Sequence, residues 1–349
     1  MEAYVVGGGM AGAGAAFALA RAGLRTTVLE AQPKLGLKPC GRGIPQVGDL
    51  PFSVPKEAIL NEIRAVATWL DGEPLFRYSG GLNGYIVDKG GLLEHIFAEA
   101  GAEVVYNAKY NVRTGTARVN GEQVEVKKGV FAAGFAFYEG ERIPVVQYIM
   151  KGPLKDVSYD TIEVHFNTEI MGYYYVFPHG EDVEVGVGGF AAPRELWAIL
   201  DKFIEKDSRL RGRILAKESS AVSVGGVKLG YVNGLPKAGE AAGYVMPLTG
   251  EGNRPSTISG YLAGKAVAEG KDPLEAQRRS HVTRGVELQR RLLEWTKSME
   301  VRERREVIRS LPPEVHAEVA LATFRIPKMM MRLAHKPLFM LKVAAKLVR

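Results

Sequence analysis

The chain opens on a short apolar run, Ala3 to Val6. A glycine-rich turn follows, then an alanine-rich stretch to about Arg21 closed by Gly23, then a second apolar run, TTVLE. This is strand, turn, helix and strand in thirty residues, the start of a parallel α/β sheet. Residues 84 to 137 continue to alternate: a strand GYIVD, a helix over about 91–100, and strands in AEVVYNA and VEVKKGVFAAG. From 142 to 190 the pattern changes to period two, in DTIEVHF, GYYYVFP and DVEVGVGGF, which predicts an antiparallel sheet. A helix is expected over 194–206, strand-like sequence over 219–234, and a small-residue helix from about Pro255 to Glu269. Charged helices near 273–284 and 286–310 complete the reading. No repeat or low-complexity linker interrupts it, so the first domain is expected to be discontinuous, with the sheet inserted into it.

Gly7, Gly9 and Gly12 have G-x-G-x-x-G spacing between the first strand and helix, and Glu30 ends the second strand. The first glycine allows the turn, the second admits a pyrophosphate to the backbone, and the third packs helix on strand. The helix N-terminus offers N–H groups to the pyrophosphate, and an acid at Glu30 can accept from a ribose diol. A second glycine-led helix start lies more than two hundred residues on: Gly239-Glu240, then Pro247, Gly250 and Gly252. Two such sites far apart fit a long dinucleotide lying across one domain.

These residues carry a resemblance. GEAAGYVMPLTGEG resembles the second FAD signature of the p-hydroxybenzoate-hydroxylase-like flavoproteins, and within them of the geranylgeranyl reductase family of archaea and plants. KPCGRGIP resembles that family's K-x-x-C-G loop, and YYYVFPHGEDVEVGVGGF resembles its Y-x-W-x-F-P segment and following strand. The similarity spans residues 1 to about 270. Glu240 stands where the family has Asp, Tyr175 where it has Trp, and Lys89 and Leu93 where it has Arg and Asp.

The resemblance implies a Rossmann-like FAD-binding domain of glutathione-reductase type, with an inserted antiparallel-sheet substrate domain and a helical C-terminal region. The expected division is 1–55, 84–137 and 231–272 for FAD, 138–230 with 56–83 for substrate, and 273–349 for the helical region. FAD would be held by Gly7, Gly9, Gly12, Glu30, Gly239, Glu240, Pro247, Gly250 and Gly252. Cys40 and Gly41 would lie at the reacting end of the flavin. Cys40 reads either as a polarizable contact beside a double bond or as a buried, inert thiol. Arg42 suits a substrate phosphate or simple solvation. Tyr173, Tyr175 and Phe177 share one strand face and, with Pro178, either line a prenyl tunnel or form core.

The net charge of +7 is unevenly spread. Seven of the 46 Lys and Arg lie in residues 319–349 with no acid among them, leaving 39 basic against 39 acidic residues before that point. A neutral body argues against a nucleic-acid partner. The basic, apolar segment 325–349 reads as peripheral contact with an anionic membrane surface, or as a packed helix. One cysteine excludes an internal disulfide and suits a cytoplasmic setting. Only 14 residues are Asn or Gln, which points to a thermophilic source. The six histidines show no metal-ligand spacing, so no metal is expected.

The expected activity is FAD-dependent reduction of geranylgeranyl C=C bonds on an archaeal-type glycerophospholipid, by hydride from reduced flavin N5. The electron donor is left open between a ferredoxin-like protein and NAD(P)H. A flavin monooxygenase or halogenase, or a prenyl-lipid-binding protein without turnover, are the alternatives.

Overall fold

The computed structural model describes residues 2–119 and 121–320. In chain order the elements begin β1 (Glu2–Val6), α1 (Met10–Arg21), β2 (Arg25–Leu29), β3 (Gly43–Pro45), β4 (Ile59–Leu70), β5 (Glu73–Val87), α2 (Lys89–Ala100) and β6 (Glu103–Val105). There follow β7 (Thr116–Val119), β8 (Glu122–Glu125), β9 (Gly129–Phe131), β10 (Arg142–Met150), β11 (Thr161–Asn167), β12 (Gly172–His179) and β13 (Asp182–Gly188). The remainder is α3 (Pro193–Lys206), β14 (Ile214–Ser223), β15 (Tyr231–Val232), β16 (Leu235–Pro236), α4 (Asn253–Glu269), α5 (Pro273–Arg278), α6 (His281–Lys297), α7 (Val301–Ser310) and α8 (Pro313–Ala320).

Two sheets carry the molecule. The smaller is parallel, in the order β6-β2-β1-β9. Its central strands β1 and β2 are largely buried on both faces, as in a covered parallel sheet. Helices α1 and α4 pack together against it. Their alanines and glycines let the backbones close: a Cβ on Gly260 would lie 1.9 Å from the Ala11 carbonyl oxygen. Phe17, Leu92, Leu93, Ile96 and Phe97 fill the rest of this core.

The larger sheet runs β14-β10-β13-β12-β11-β4-β5-β3. It is antiparallel apart from the β4–β11 pair, which is parallel, so the expected antiparallel sheet is in fact mixed. Period two sorts its residues. Val183, Val185 and Val187 of β13 pack with Val176 of β12 against Leu196 and Leu200 of α3. Glu184, Gly186 and Gly188 take the opposite face, opposite Phe177, Tyr175 and Tyr173.

Three expectations change. Of GYIVD, read with the nucleotide domain, Gly84–Val87 end the 15-residue strand β5 in the larger sheet, and Asp88 is the N-cap of α2. The helix expected over 273–284 breaks at Ser280, whose side chain accepts from Thr283 N–H and starts α6. The one expected over 286–310 breaks again after Ser298, because Glu300 is extended. Among the described residues no helix is long and apolar enough to cross a membrane. The basic segment 325–349 lies outside the described residues.

Candidate active site

The carboxyl end of β1 is where the smaller sheet meets a ligand. Gly7 takes φ +104°, and a Cβ there would sit 2.4 Å from the Ala132 carbonyl oxygen, so only glycine lets β1 turn beside β9. Gly9 is the N-cap of α1, with open space beside its Cα. Gly12 lies under the turn: its Cβ would meet the Gly7 carbonyl oxygen at 2.0 Å. Glu30 follows β2 and accepts from the N–H groups of Gly8 and Gln32, each at 2.8 Å. An acid beside open backbone N–H groups at a helix start fits the ribose and pyrophosphate of a dinucleotide.

From this turn a cavity of about 880 Å³ runs along the 37–45 loop to the larger sheet. Pro247, Gly250 and Gly252 line it from the second glycine-rich segment, as does Glu240. Glu240 forms an ion pair with Lys38 and accepts from the Ser223 N–H at 3.2 Å. Lys38 also stands 4.7 Å from the centre of the Phe135 ring. Gly239, expected to touch cofactor, does not line the cavity. It takes φ +62°, its N–H donates to Ser259 Oγ at 2.8 Å, and it packs against Ala11. Gly12 is likewise a packing residue. A long trough with glycine approaches, Glu30 at the dinucleotide turn and the Lys38–Glu240 pair further along fits FAD.

Cys40 lines the same cavity. Its Sγ accepts from the Arg42 N–H at 3.4 Å and the Asn253 amide at 3.7 Å. Burial pushes this thiol up, but Lys89, the Arg42 N–H, Lys38 and Asn253 together bring it below its usual range. Gly41 lies under the Phe177 ring, where a Cβ would be 3.1 Å from two ring carbons. Arg42 has φ +54° and donates to His179 Nδ1 at 2.7 Å. Burial and the Arg42 charge hold His179 down at about 4, so it stays neutral and accepts.

Tyr173, Tyr175 and Phe177 do share one face and line the cavity with Val164, Phe166 and Gln147. Pro178 does not join them, because alternation turns it to the α3 side. Tyr173 donates to the Thr249 carbonyl, and burial raises its hydroxyl to about 12. Tyr175 donates to Gln147 Oε1 at 2.6 Å, and Gln147 Nε2 donates to Glu218 Oε2 at 2.7 Å. Gly186 makes room: its Cβ would fall 2.3 Å from the tyrosine hydroxyl. The far end is closed by Trp295 and Met299, by Ile308 of α7 and by His316 of α8. Arg304 ties α7 down by donating to the carbonyls of Thr168, Thr296 and Met299.

A digeranylgeranylglycerophospholipid reductase of Thermoplasma acidophilum is 30% identical over 314 residues, covering 77% of this chain and 79% of that protein. The chain belongs to the geranylgeranyl reductase family. With membership comes the enzyme class, a flavin-dependent oxidoreductase. Digeranylgeranylglycerophospholipid reductase 2 of Methanopyrus kandleri is 28% identical over 77% of each chain. Geranylgeranyl diphosphate reductase of Rhodobacter capsulatus is 26% identical over 76% of this chain and 74% of its own. A model of the NAD(P)-binding Rossmann-like domain matches residues 5–39, the β1-α1-β2 unit and the loop up to Cys40. Among solved structures, a geranylgeranyl bacteriochlorophyll reductase-like protein from T. acidophilum superposes with a TM-score of 0.79 at 23% identity, over 99% of this chain and 98% of its own. The flavin-dependent brominase Bmp2 superposes at 0.66 and 15% identity, over 92% and 93%. Both structural likenesses concern the fold.

Against this family pattern, sequence reading missed Lys38, Lys89, Asn253, His179 and Gln147 as site residues. Lys89 directly follows the helix N-cap Asp88, and Asn253 directly follows the glycine turn; both positions are visible in the sequence. Nothing in the local sequence marks Lys38 as the partner of Glu240.

Proposed function

We propose that this geranylgeranyl reductase family member saturates C=C bonds of a geranylgeranyl chain carried on an archaeal-type glycerophospholipid. The observation that carries the reading is the continuity of one cavity. It joins the dinucleotide turn, the Cys40 loop and an apolar passage between the Tyr173–Phe177 row and the C-terminal helices. An extended apolar chain needs such a passage, and exclusion of water from it favours transfer of hydride over side reactions.

FAD would be held by Gly7, Gly9, Glu30, Glu240, Pro247, Gly250 and Gly252, and when reduced would supply the hydride. The residues of this chain bind and orient. Tyr175 is locked by Gln147, and Phe177 rests on Gly41, so the alkene is held against Cys40 by rigid groups. Arg42, with one nitrogen on His179, keeps others for phosphate oxygens of the head group. The FAD domain comprises 1–55, 84–137 and 231–272 in this reading, less the strand that β5 takes, and the substrate domain comprises 138–230 with 56–83. A prenylated lipid is the partner, met at the membrane face through 325–349, and the reductant is a ferredoxin-like protein or NAD(P)H.

The test is anaerobic. FAD-loaded protein, chemically reduced, is mixed with a geranylgeranylated glycerophospholipid, and the product mass is read. Stepwise gain of hydrogen pairs that depends on FAD is expected; unchanged lipid beside reoxidisable flavin would overturn the reading.

A further inference from the structure

Asn253 is the first residue of α4, directly after the glycine turn, and only 9% of it is exposed. Gly252 occupies the N-cap without a side-chain bond, so the Asn253 carboxamide does not cap its own helix. It reaches the Cys40 loop instead, and both residues line the cavity. Nδ2 donates to the Gly43 carbonyl at 3.0 Å and lies 3.7 Å from Cys40 Sγ, while Oδ1 lies 3.8 Å from the same sulfur. A carbonyl oxygen can only accept, so Gly43 decides which end of the amide carries the hydrogens.

The loop needs such a hold. Arg42 takes φ +54°, a left-handed conformation that is costly for a residue with a side chain and persists only where its surroundings fix it. The Val87 N–H donates to the Arg42 carbonyl at 3.2 Å, and the Phe177 ring covers Gly41. Asn253 holds the loop from a third direction, across 210 residues of sequence from Gly43.

We propose that Asn253 is a positioning residue for Cys40, accepting from the thiol S–H through Oδ1 and donating to the sulfur through Nδ2 when that proton is gone. Its part in turnover rests on the reductase reading above. With one amide hydrogen fixed on Gly43, the second hydrogen and the oxygen lie side by side facing the sulfur. Thiol and thiolate each find a partner there without movement of the loop. Lys89 bears on the same sulfur through its charge, but an ammonium offers S–H no acceptor. The amide therefore sets where the sulfur sits and where its proton points.

Cys40 is the single cysteine, so the infrared S–H stretch of the full chain belongs to it alone. In wild type the band is expected at the lowered frequency of a hydrogen-bonded thiol. Asn253→Leu, which removes both partners, should raise it to that of a free thiol. Asn253→Asp keeps the acceptor and loses the donor. Its band should stay low, while the pH midpoint of reaction with a disulfide reagent rises and the rate near neutrality falls about threefold to tenfold. Lys89→Met should move that midpoint and leave the band in place. In the reduced holoenzyme, reoxidation by a geranylgeranyl lipid should slow about tenfold in both Asn253 variants at unchanged flavin affinity. A wild-type band at the free-thiol frequency would overturn the proposal without any variant, and so would a band and midpoint indifferent to residue 253. A band that follows residue 253 in a holoenzyme that consumes no prenyl lipid would uphold the amide–thiol pair and overturn the reductase reading instead.

Discussion

Lys38 and Glu240 stand 202 residues apart in the chain and meet as an ion pair beside the cofactor trough. The pair joins the Cys40 loop to the second glycine segment, and Ser223 steadies the acid from the larger sheet. Three distant segments thus converge on one carboxylate. Charge-assisted contacts of this kind are worth about 1.5–3 kcal/mol each. Glu240→Ala is therefore expected to weaken FAD binding about tenfold to a hundredfold, measured by quenching of flavin fluorescence on titration. Glu240→Asp keeps the charge and should bind better than the alanine variant.

The single thiol makes its ionisation simple to follow. Cys40 is held below the ordinary thiol value of about 8.5 by Lys89, Lys38, Asn253 and a backbone N–H, against the effect of burial. The rate of reaction with a disulfide reagent should rise with pH along a curve whose midpoint lies below that of a free thiol. Lys89→Met removes the leading cationic contribution, so its midpoint should move up and its rate near neutrality should fall. Equal midpoints in the two proteins would contradict the assignment.

Tyr175 and Gly186 occupy one space. A methyl group on Gly186 would lie 2.3 Å from the tyrosine hydroxyl, and overpacking of this degree costs about 1–3 kcal/mol. Gly186→Ala should lower the denaturant midpoint and push Tyr175 off Gln147, raising KM for a prenyl substrate more than it lowers kcat. A kcat loss alone would mean that the ring orients chemistry and not binding.

Glu163 of β11 sits on the outer face of the sheet with Arg209, at 2.8 and 2.9 Å, and His165. Burial raises its carboxyl, but hydrogen bonds from His165 and Arg209 overcome this and hold it down at about 2. The folded value lies below the unfolded value of 4.5, so its stabilisation is complete above about 4.5 and lost as pH falls towards 2. Glu163→Gln should cost about 1.5–3 kcal/mol at neutral pH and flatten the acid limb of thermal midpoint against pH. An unchanged acid limb would place the acid sensitivity elsewhere.

How far the sequence reached depends on the range of each signal. The turn at Gly7, the helix start at Gly9, the close packing at Gly12 and the strand end before Glu30 were legible, because these are local events with fixed spacing. The common face of Tyr173, Tyr175 and Phe177 was legible from the period of a strand. The same period, applied one residue further, removes Pro178 from that face. The breaks at Ser280 and after Ser298 were not read, since a charged helical pattern looks continuous until the caps are placed. That β5 begins at Glu73 and crosses the expected domain boundary follows from its long pairing with β4, which no local pattern announces.

The chain by itself determined the nucleotide-binding unit, the two-faced sheet and the residues that alternate along it, because backbone geometry and nearest neighbours set these. Only the tertiary structure decided what each face meets. Helix α3 covers the valine side of β13 and so turns Glu184 to the opposite face, level with Phe177. Loop closure brings Lys38 to Glu240 and Lys89 to within range of Cys40. Charge and burial are properties of the assembled surroundings, and for these residues the surroundings come from segments far apart in the sequence.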